Sequence, residues 1–284
     1  MMRGKKTIES NNDVVTGTAM SHQEPKDLFQ SYVSKGRFLF RLSLLLLVMI
    51  IALGFIGLFL SPPNDPAEVA ALSLLFFPLT SECVRRYKVA RDRLGFVEIT
   101  EKQFLEVFSM VEDLLLDAGL EVRPKIFMLT NPAIDPCSIN PGLRESIVLG
   151  SDFFAGCKEK GNVDALRFML AHQVGHFVAG HNKTWNIWIS SAIMGIPFLK
   201  TVFIRNLEFT ADIWAAIKFP RGASVGLALC AVGKDNFDLV DSKELVASHV
   251  NGIGFLGKLA RWITSTVPAP ERMKVLGKNE LLAD

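Results

Sequence analysis

The sequence predicts a mainly helical α+β protein with a small β-sheet, preceded by a transmembrane helical hairpin. Two apolar runs near the N-terminus, residues 42–60 and 67–80, are separated by a proline-rich turn. Downstream, apolar residues recur at helical spacing, and two short apolar runs bounded by Pro, Asn and Gly are typical of strands. With 284 residues and a hydrophobic content of 49%, the chain is long enough for one substantial domain plus a membrane attachment.

Composition divides the chain into three parts. Residues 1–36 are polar and without periodicity, which indicates a flexible tail, while residues 37–82 form the predicted hairpin and residues 83–284 the remaining domain. The formal net charge of +2 is too small for a nucleic-acid-binding protein, so we exclude that class of partner. No C-x-x-C pair is present, which predicts four reduced thiols. These are Cys83, Cys137, Cys157 and Cys230.

The first apolar run contains 19 uncharged residues, about the length of helix that crosses a bilayer core of roughly 30 Å. A signal peptide is the alternative, but the run is too long and begins too far from the N-terminus. The second run is short for a span and contains Glu68 and Pro78. Lys and Arg precede the first run and follow the second but are absent from the turn, which predicts an integral membrane protein with a cytoplasmic domain. If the second run does not span, the domain lies across the membrane instead.

The domain begins with a predicted helix that ends at Gly119. Thr100 and Gln103 have the spacing of a capping box at its start. Residues 125–129 and 146–149 are predicted strands, with a loop rich in turn residues between them.

A second helix is predicted over residues 163–179, with Asn162 as its N-cap and Gly180 as its stop. Residues 185–204 are apolar but interrupted by Gly and Pro, so they form either a third membrane segment or a hydrophobic hairpin. We expect the large aromatic residues of this stretch to face lipid or the core. They are Trp185, Trp188 and Phe198.

The most informative motif is AHQVGHFVAG, residues 171–180. On a helix, His172 and His176 lie on nearly the same face and can point their imidazoles at one metal ion, although such a pair alone is more often a packing coincidence. In H-E-x-x-H zinc peptidases, the residue after the first His is the Glu that takes a proton from the attacking water. Here that residue is Gln173.

A zinc peptidase needs three protein ligands, so two histidines require a third group from elsewhere. Glu208 is the best candidate because Asp212 follows one turn later on the same predicted helix, where it can support a ligating imidazole. His181 is nine residues from His172 and projects to the opposite face of the helix, so we interpret it as a cap or surface residue.

With these residues in order, the chain resembles the HtpX-type integral-membrane zinc metallopeptidases, the group that includes the CAAX prenyl proteases. Their pattern is H-E-x-x-H followed downstream by E-x-x-x-A-D. The resemblance covers residues 103–276 and includes a strand led by Pro124, the lead-in DALRFMLA, Arg205 before the E-x-x-x-A-D segment, and Pro268 with Arg272 near the C-terminus.

The resemblance implies a zincin-like metallopeptidase domain over residues 83–284. It implies that Zn²⁺ is bound by His172, His176 and Glu208, with Asp212 as support. A peptide or protein substrate would lie as an added strand beside the strand near Ile147. Arg272 would hold the site together or contact the substrate.

Three features depart from the family. Gln173 replaces the general base, Val267 stands where many members have His, and the stretch from His176 to Glu208 is short. Gln can orient a water but cannot accept and return a proton, and general acid–base help contributes about 10²- to 10⁴-fold, so hydrolysis should be slow or undetectable while zinc binding survives.

Two principal functions follow from this sequence. The first is a membrane-anchored zinc metalloendopeptidase that acts on membrane or misfolded proteins, with Gln173 as an inactivating substitution. The second is a natural pseudoprotease that binds zinc and protein partners without cleaving them. A helical membrane protein with no metal is a third.

Overall fold

The computed structural model describes residues 24–62, 65–129, 146–251, 254–264 and 266–282. Within these ranges the protein is mainly helical with one small sheet, which confirms the coarse fold class. A helical hairpin leads into the domain, where several helices pack around one buried helix.

The hairpin consists of α1 (Pro25–Leu60) and α2 (Pro66–Arg93), both long and apolar enough to span a bilayer. Gly54 of α1 faces α2 so closely that a Cβ there would lie 2.8 Å from Leu75 Cγ. Glycine therefore allows the two helices to pack. Large apolar side chains along both helices are exposed, as lipid-facing residues are.

Two boundaries predicted for this region are wrong. Residues 25–36, assigned to a flexible tail over 1–36, are helical because Leu28, Phe29 and Tyr32 recur at helical spacing and pack against the domain core. Residues 1–23 lie outside the described residues. The hairpin boundary at 82 also falls inside α2, which is 28 residues long and accommodates Pro78 in its interior.

The sheet has the order β1-β2-β3, where β1 is Phe96–Ile99, β2 is Lys125–Leu129 and β3 is Ser146–Gly150. β1 pairs antiparallel and β3 parallel with the central strand. The two predicted strands are confirmed, while β1 was not predicted. β3 is an edge strand of the described sheet.

The predicted capping box is wrong. Thr100 and Gln103 exchange backbone hydrogen bonds of 3.0 and 3.1 Å in an isolated bridge, and the Gln103 side chain donates to the Glu98 carbonyl. The helix α3 (Leu105–Asp117) begins only after Phe104, which has a left-handed φ of 59°. The turn after β1 therefore uses the two polar residues that the pattern assigned to the helix.

The other helices complete the domain. They are α4 (Ser151–Glu159), α5 (Val163–Val178), α6 (Thr184–Met194), α7 (Pro197–Lys218), α8 (Pro220–Val232), α9 (Ser242–Asn251), α10 (Phe255–Ile263) and α11 (Ala269–Lys278). The central helix α5 is buried along most of its length and packs against α3, α7 and α8.

The apolar stretch 185–204 forms a hairpin and not one span. Its first helix, α6, has 11 residues and a length of about 17 Å, which is too short to cross a bilayer. α7 begins at Pro197, where the proline starts a new helix, and both helices pack on α1.

The cysteines correct one expectation. Cys83 and Cys157 are free thiols, and burial raises the pKa of Cys157 to about 12. Cys230 is disulfide-bonded, so the prediction of four reduced thiols is wrong at this position. The C-x-x-C pattern did not reveal the bond because it identifies only cysteines that are close along the chain. Cys137 lies outside the described residues.

Candidate metal centre

The two helices that carry the candidate ligands pack against each other through a glycine. A Cβ at Gly175 of α5 would lie only 3.1 Å from the Ala211 carbonyl oxygen of α7. The small residue between the two histidines therefore permits a close approach of the helix backbones. This approach brings His172 and His176 to Glu208, and all three side chains are buried.

The three ligand atoms have the spacing of a metal site. His172 Nε2 lies 3.4 Å from Glu208 Oε2, and His176 Nε2 lies 3.8 Å from Glu208 Oε1. The ligand atoms of the three residues all lie within 4.8 Å of one another. Ligands at zinc-bond lengths of about 2.1 Å in a tetrahedron are about 3.4 Å apart, so a small contraction would fit the ion.

An unsatisfied buried atom provides a second test of the fit. His172 Nε2 is buried and makes no hydrogen bond of acceptable geometry among the residues that the structure describes, although Glu208 Oε2 lies 3.4 Å away. Burying such a polar nitrogen without a partner is costly, and a metal ion would satisfy it. The donor set of two imidazole nitrogens and one carboxylate is that of catalytic zinc sites with an open fourth position.

Asp212 orients the first histidine. Its Oδ1 lies 2.8 Å from His172 Nδ1, and one turn of α7 separates it from Glu208. When the Nδ1 hydrogen is donated to the carboxylate, Nε2 keeps a lone pair directed at Glu208. Asp212 thus contacts His172 Nδ1, where it could support a metal-ligating imidazole.

Arg272 holds the Asp212 carboxylate from the other side. Its Nε and Nη2 donate to the two carboxylate oxygens at 2.8 and 2.5 Å, and Arg272 is only 2% exposed. Burial raises the pKa of Asp212, but Arg272 and His172 outweigh it and lower that pKa to about 2. Of the two roles predicted for Arg272, the geometry supports the structural one.

The charged groups around His172 shift its pKa. Burial and the Arg272 guanidinium lower the pKa of His172, but Asp212 and Glu208 outweigh them, and the net shift is upward. Without a metal, the acidic partners therefore favour the protonated imidazole. A metal ion at Nε2 must displace that proton.

His181 corrects the sequence interpretation. It is 2% exposed, and its Nδ1 lies 2.9 Å from His176 Nδ1. α5 ends at Val178 and Gly180 adopts a left-handed φ of 72°, so the chain turns back and the helical projection no longer applies. The helix end predicted at Gly180 already implies that His181 lies beyond the helix, where a helical projection from His172 does not hold.

This contact gives the second histidine its own supporting group. When His176 uses Nε2 for a metal, its Nδ1 carries hydrogen and donates to His181 Nδ1. Both candidate ligands are therefore contacted at Nδ1, one by a carboxylate and the other by an imidazole.

The remaining predicted positions are located as follows. Gln173 lies between the ligands on α5 and is 3% exposed. Val267 packs in a small apolar cluster with Ile204 and Phe209. Ile147 is fully buried on β3, whose outer edge pairs with no strand among the described residues.

Comparison with known proteins adds no relative to this description. No family model, curated protein or solved structure matches the chain. The structure thus shows two helices able to span a membrane and a buried His–His–Glu group able to hold a metal ion.

Proposed function

We propose that the protein is a membrane-anchored zinc metallopeptidase scaffold, impaired in catalysis by Gln173. The observation that carries the proposal is the buried group of His172, His176 and Glu208, whose ligand atoms lie within 4.8 Å of one another. Imidazole and carboxylate donors in this number favour zinc over Ca²⁺ or Mg²⁺, which prefer oxygen ligands.

The order of the motifs supports the HtpX-type, zincin-like assignment. The H-x-x-x-H pair lies on one buried helix, and Glu208 and Asp212 lie one turn apart on the helix packed against it. The outer edge of β3 supports a peptide substrate that adds as a strand, since main-chain hydrogen bonds would then be shared along that edge.

The chemistry depends on what each residue can do with a proton. Zinc, when bound, lowers the pKa of a water ligand and polarises a carbonyl. Gln173 follows the first ligand directly and can donate or accept a hydrogen bond through its amide, but it cannot carry a proton from water to the leaving amine. We expect the missing general base to reduce peptide hydrolysis by about 10²- to 10⁴-fold.

A natural pseudoprotease is the second candidate, and one observation favours it. Apart from Gln173 and Val267, the site residues are in place: the three candidate ligands, the Asp212–Arg272 pair and the buried His181. A chain that keeps the metal-binding group but lacks the proton carrier is suited to binding zinc and membrane or misfolded proteins without cutting them.

We also propose that α1 and α2 span the membrane with the domain on the cytoplasmic side. Basic residues at the start of α1 and the end of α2 support this orientation. The disulfide at Cys230 favours the opposite side, because disulfides persist mainly in oxidising compartments. A protease-protection assay on sealed vesicles tests the orientation: a domain protected from external protease in right-side-out vesicles agrees with the proposal, and a digested one contradicts it.

The function is tested by the chain and its Gln173→Glu variant in lipid nanodiscs, with an unfolded membrane protein as substrate. Zinc in both proteins and cleavage only by Gln173→Glu would support the impaired peptidase. Gln173→Met, which has no polar amide, is the matched control and should remain inactive. Zinc in both with no cleavage by either would favour the pseudoprotease, and vigorous cleavage by the unchanged chain would overturn both accounts.

A further inference from the structure

The helix α10, with sequence FLGKLARWI, carries its large apolar residues on one side. They occur at positions i, i+1, i+4, i+7 and i+8, which cover an arc of about 120° on a helix of 100° per residue. The two charged residues of the helix, Lys258 and Arg261, are both cations. This composition is typical of helices that lie on an anionic lipid surface.

The apolar side of α10 is exposed in the structure. The exposed fractions are Phe255 80%, Leu256 76%, Leu259 42%, Trp262 49% and Ile263 52%. A contiguous group of this size marks an interaction surface, because soluble proteins rarely leave such a group in water. The exposed Phe198 of α7 extends it, with its ring centroid 6.4 Å from that of Trp262.

Polar contacts fix α10 to the domain and leave its apolar side outward. Thr201 Oγ1 donates to the Trp262 carbonyl at 2.8 Å, and Arg205 Nη2 donates to the Arg261 carbonyl at 2.8 Å. Arg261 also pairs with the buried Glu271 of α11, with an N–O distance of 2.7 Å. The helix is therefore attached through its backbone and through the Arg261 side chain.

The same part of α7 packs on α1 where the apolar run of α1 begins. Phe203 lies against Phe40 with ring centroids 5.0 Å apart, and Leu39 is buried in the same cluster. Thr201, which contacts α10, is two residues before Phe203, a rise of about 3 Å along α7. α10 therefore sits close to the level at which α1 enters the membrane.

We propose that α10 lies flat in the lipid–water interface of the bilayer that α1 and α2 span, with its apolar side inserted at the boundary of headgroups and acyl chains. Trp and Phe favour this zone. The occupant of the exposed surface is lipid and not a second protein. The inference rests on the membrane anchoring proposed above and is independent of the metal.

The test uses the full chain in nanodiscs that hold one copy each, made of phosphatidylcholine and phosphatidylglycerol. The emission of Trp262 is obtained as the difference between the chain and Trp262→Phe, and Trp214→Phe, which removes a buried tryptophan, is the matched control. We expect brominated lipid to quench most of the Trp262 emission and aqueous acrylamide to quench little of it. The Trp214 emission should respond weakly to both quenchers.

A second pair of variants tests whether the apolar side of α10 shields Trp262 from water. Leu256→Asp places a charge on the apolar side and should make Trp262 accessible to acrylamide, whereas Leu256→Met, which keeps that side apolar, should not. Quenching of Trp262 by acrylamide alone in the unchanged chain would overturn the proposal.

Three further outcomes also bear on the inference. Trp262 emission that resists both quenchers would mean that protein covers the surface, which also overturns it. A chain that fails to enter nanodiscs would refute the anchoring together with the inference. Lipid quenching in a chain without zinc would leave the inference standing and refute only the metal site.

Discussion

Replacing Arg272 by Met tests whether the buried ion pair holds the metal centre. Arg272 makes two charge-assisted hydrogen bonds to Asp212, at 2.8 and 2.5 Å, and both side chains are at most 2% exposed. Removing one partner of a buried pair leaves an uncompensated charge and costs about 3–5 kcal/mol. Two hydrogen bonds to a charged group, at about 1.5–3 kcal/mol each, give a similar figure.

The assay is thermal unfolding of the metal-free chain in lipid nanodiscs, followed by circular dichroism. A domain of this size shifts by about 2–4 °C per kcal/mol, so we expect Arg272→Met to lower the Tm by about 6–20 °C. Arg123→Met is the control, because Arg123 is 77% exposed and its pair with Glu112, 3.5 Å apart, contributes only about 0–1 kcal/mol.

The double variant Arg272→Met/Asp212→Leu removes both charges and should regain part of the lost stability. A Tm for Arg272→Met that is no lower than that of Arg123→Met would refute the reasoning. A double variant whose loss of Tm exceeds the summed losses of Arg272→Met and Asp212→Leu would also contradict it.

Three further predictions concern metal binding. His181→Leu should weaken zinc affinity by about 10- to 100-fold, measured in competition with a chromophoric chelator. His181→Asn keeps a hydrogen-bond acceptor and should lose less affinity, and equal zinc affinities of the two variants and the unchanged chain would contradict the supporting role. Because the pKa of His172 is raised, zinc binding should release a proton, and zinc affinity should weaken as the pH falls through that pKa. Calorimetry in buffers of different ionisation enthalpy measures the released proton, and zinc binding without proton release would contradict the prediction. Gly175→Ala should cost about 1–3 kcal/mol by overpacking and also weaken zinc binding, while Gly254→Ala, whose added Cβ meets no atom within 4 Å, should do neither.

The parts of the site that the sequence could predict lie on single helices. The spacing of His172 and His176, and of Glu208 and Asp212, translates directly into a shared face because helical periodicity is local. The pairing of α5 with α7 is long-range, and only the family pattern suggested it. Gly175 shows in retrospect why the helices meet there.

The failures arise where local rules compete. Thr100 and Gln103 have the spacing of a cap, but the turn after β1 uses them in a bridge. His181 was projected along a helix that had already ended at Val178. Residues 25–36 are polar on average, although three aromatic or aliphatic side chains at helical spacing bury one side of them.

The surface of α10 could not be recognised from sequence alone. Its apolar pattern spans only 9 residues and equally fits a helix packed in the core. Exposure separates the two cases, and exposure depends on what the rest of the chain covers.

The zinc content of the purified full chain tests the central claim most directly. We predict one zinc per chain, retained in Gln173→Glu and lost in both His176→Ala and Glu208→Ala, because these two variants remove a ligand from the buried triad. A chain without zinc, or one whose zinc content is unchanged in the two ligand variants, would contradict the metal centre.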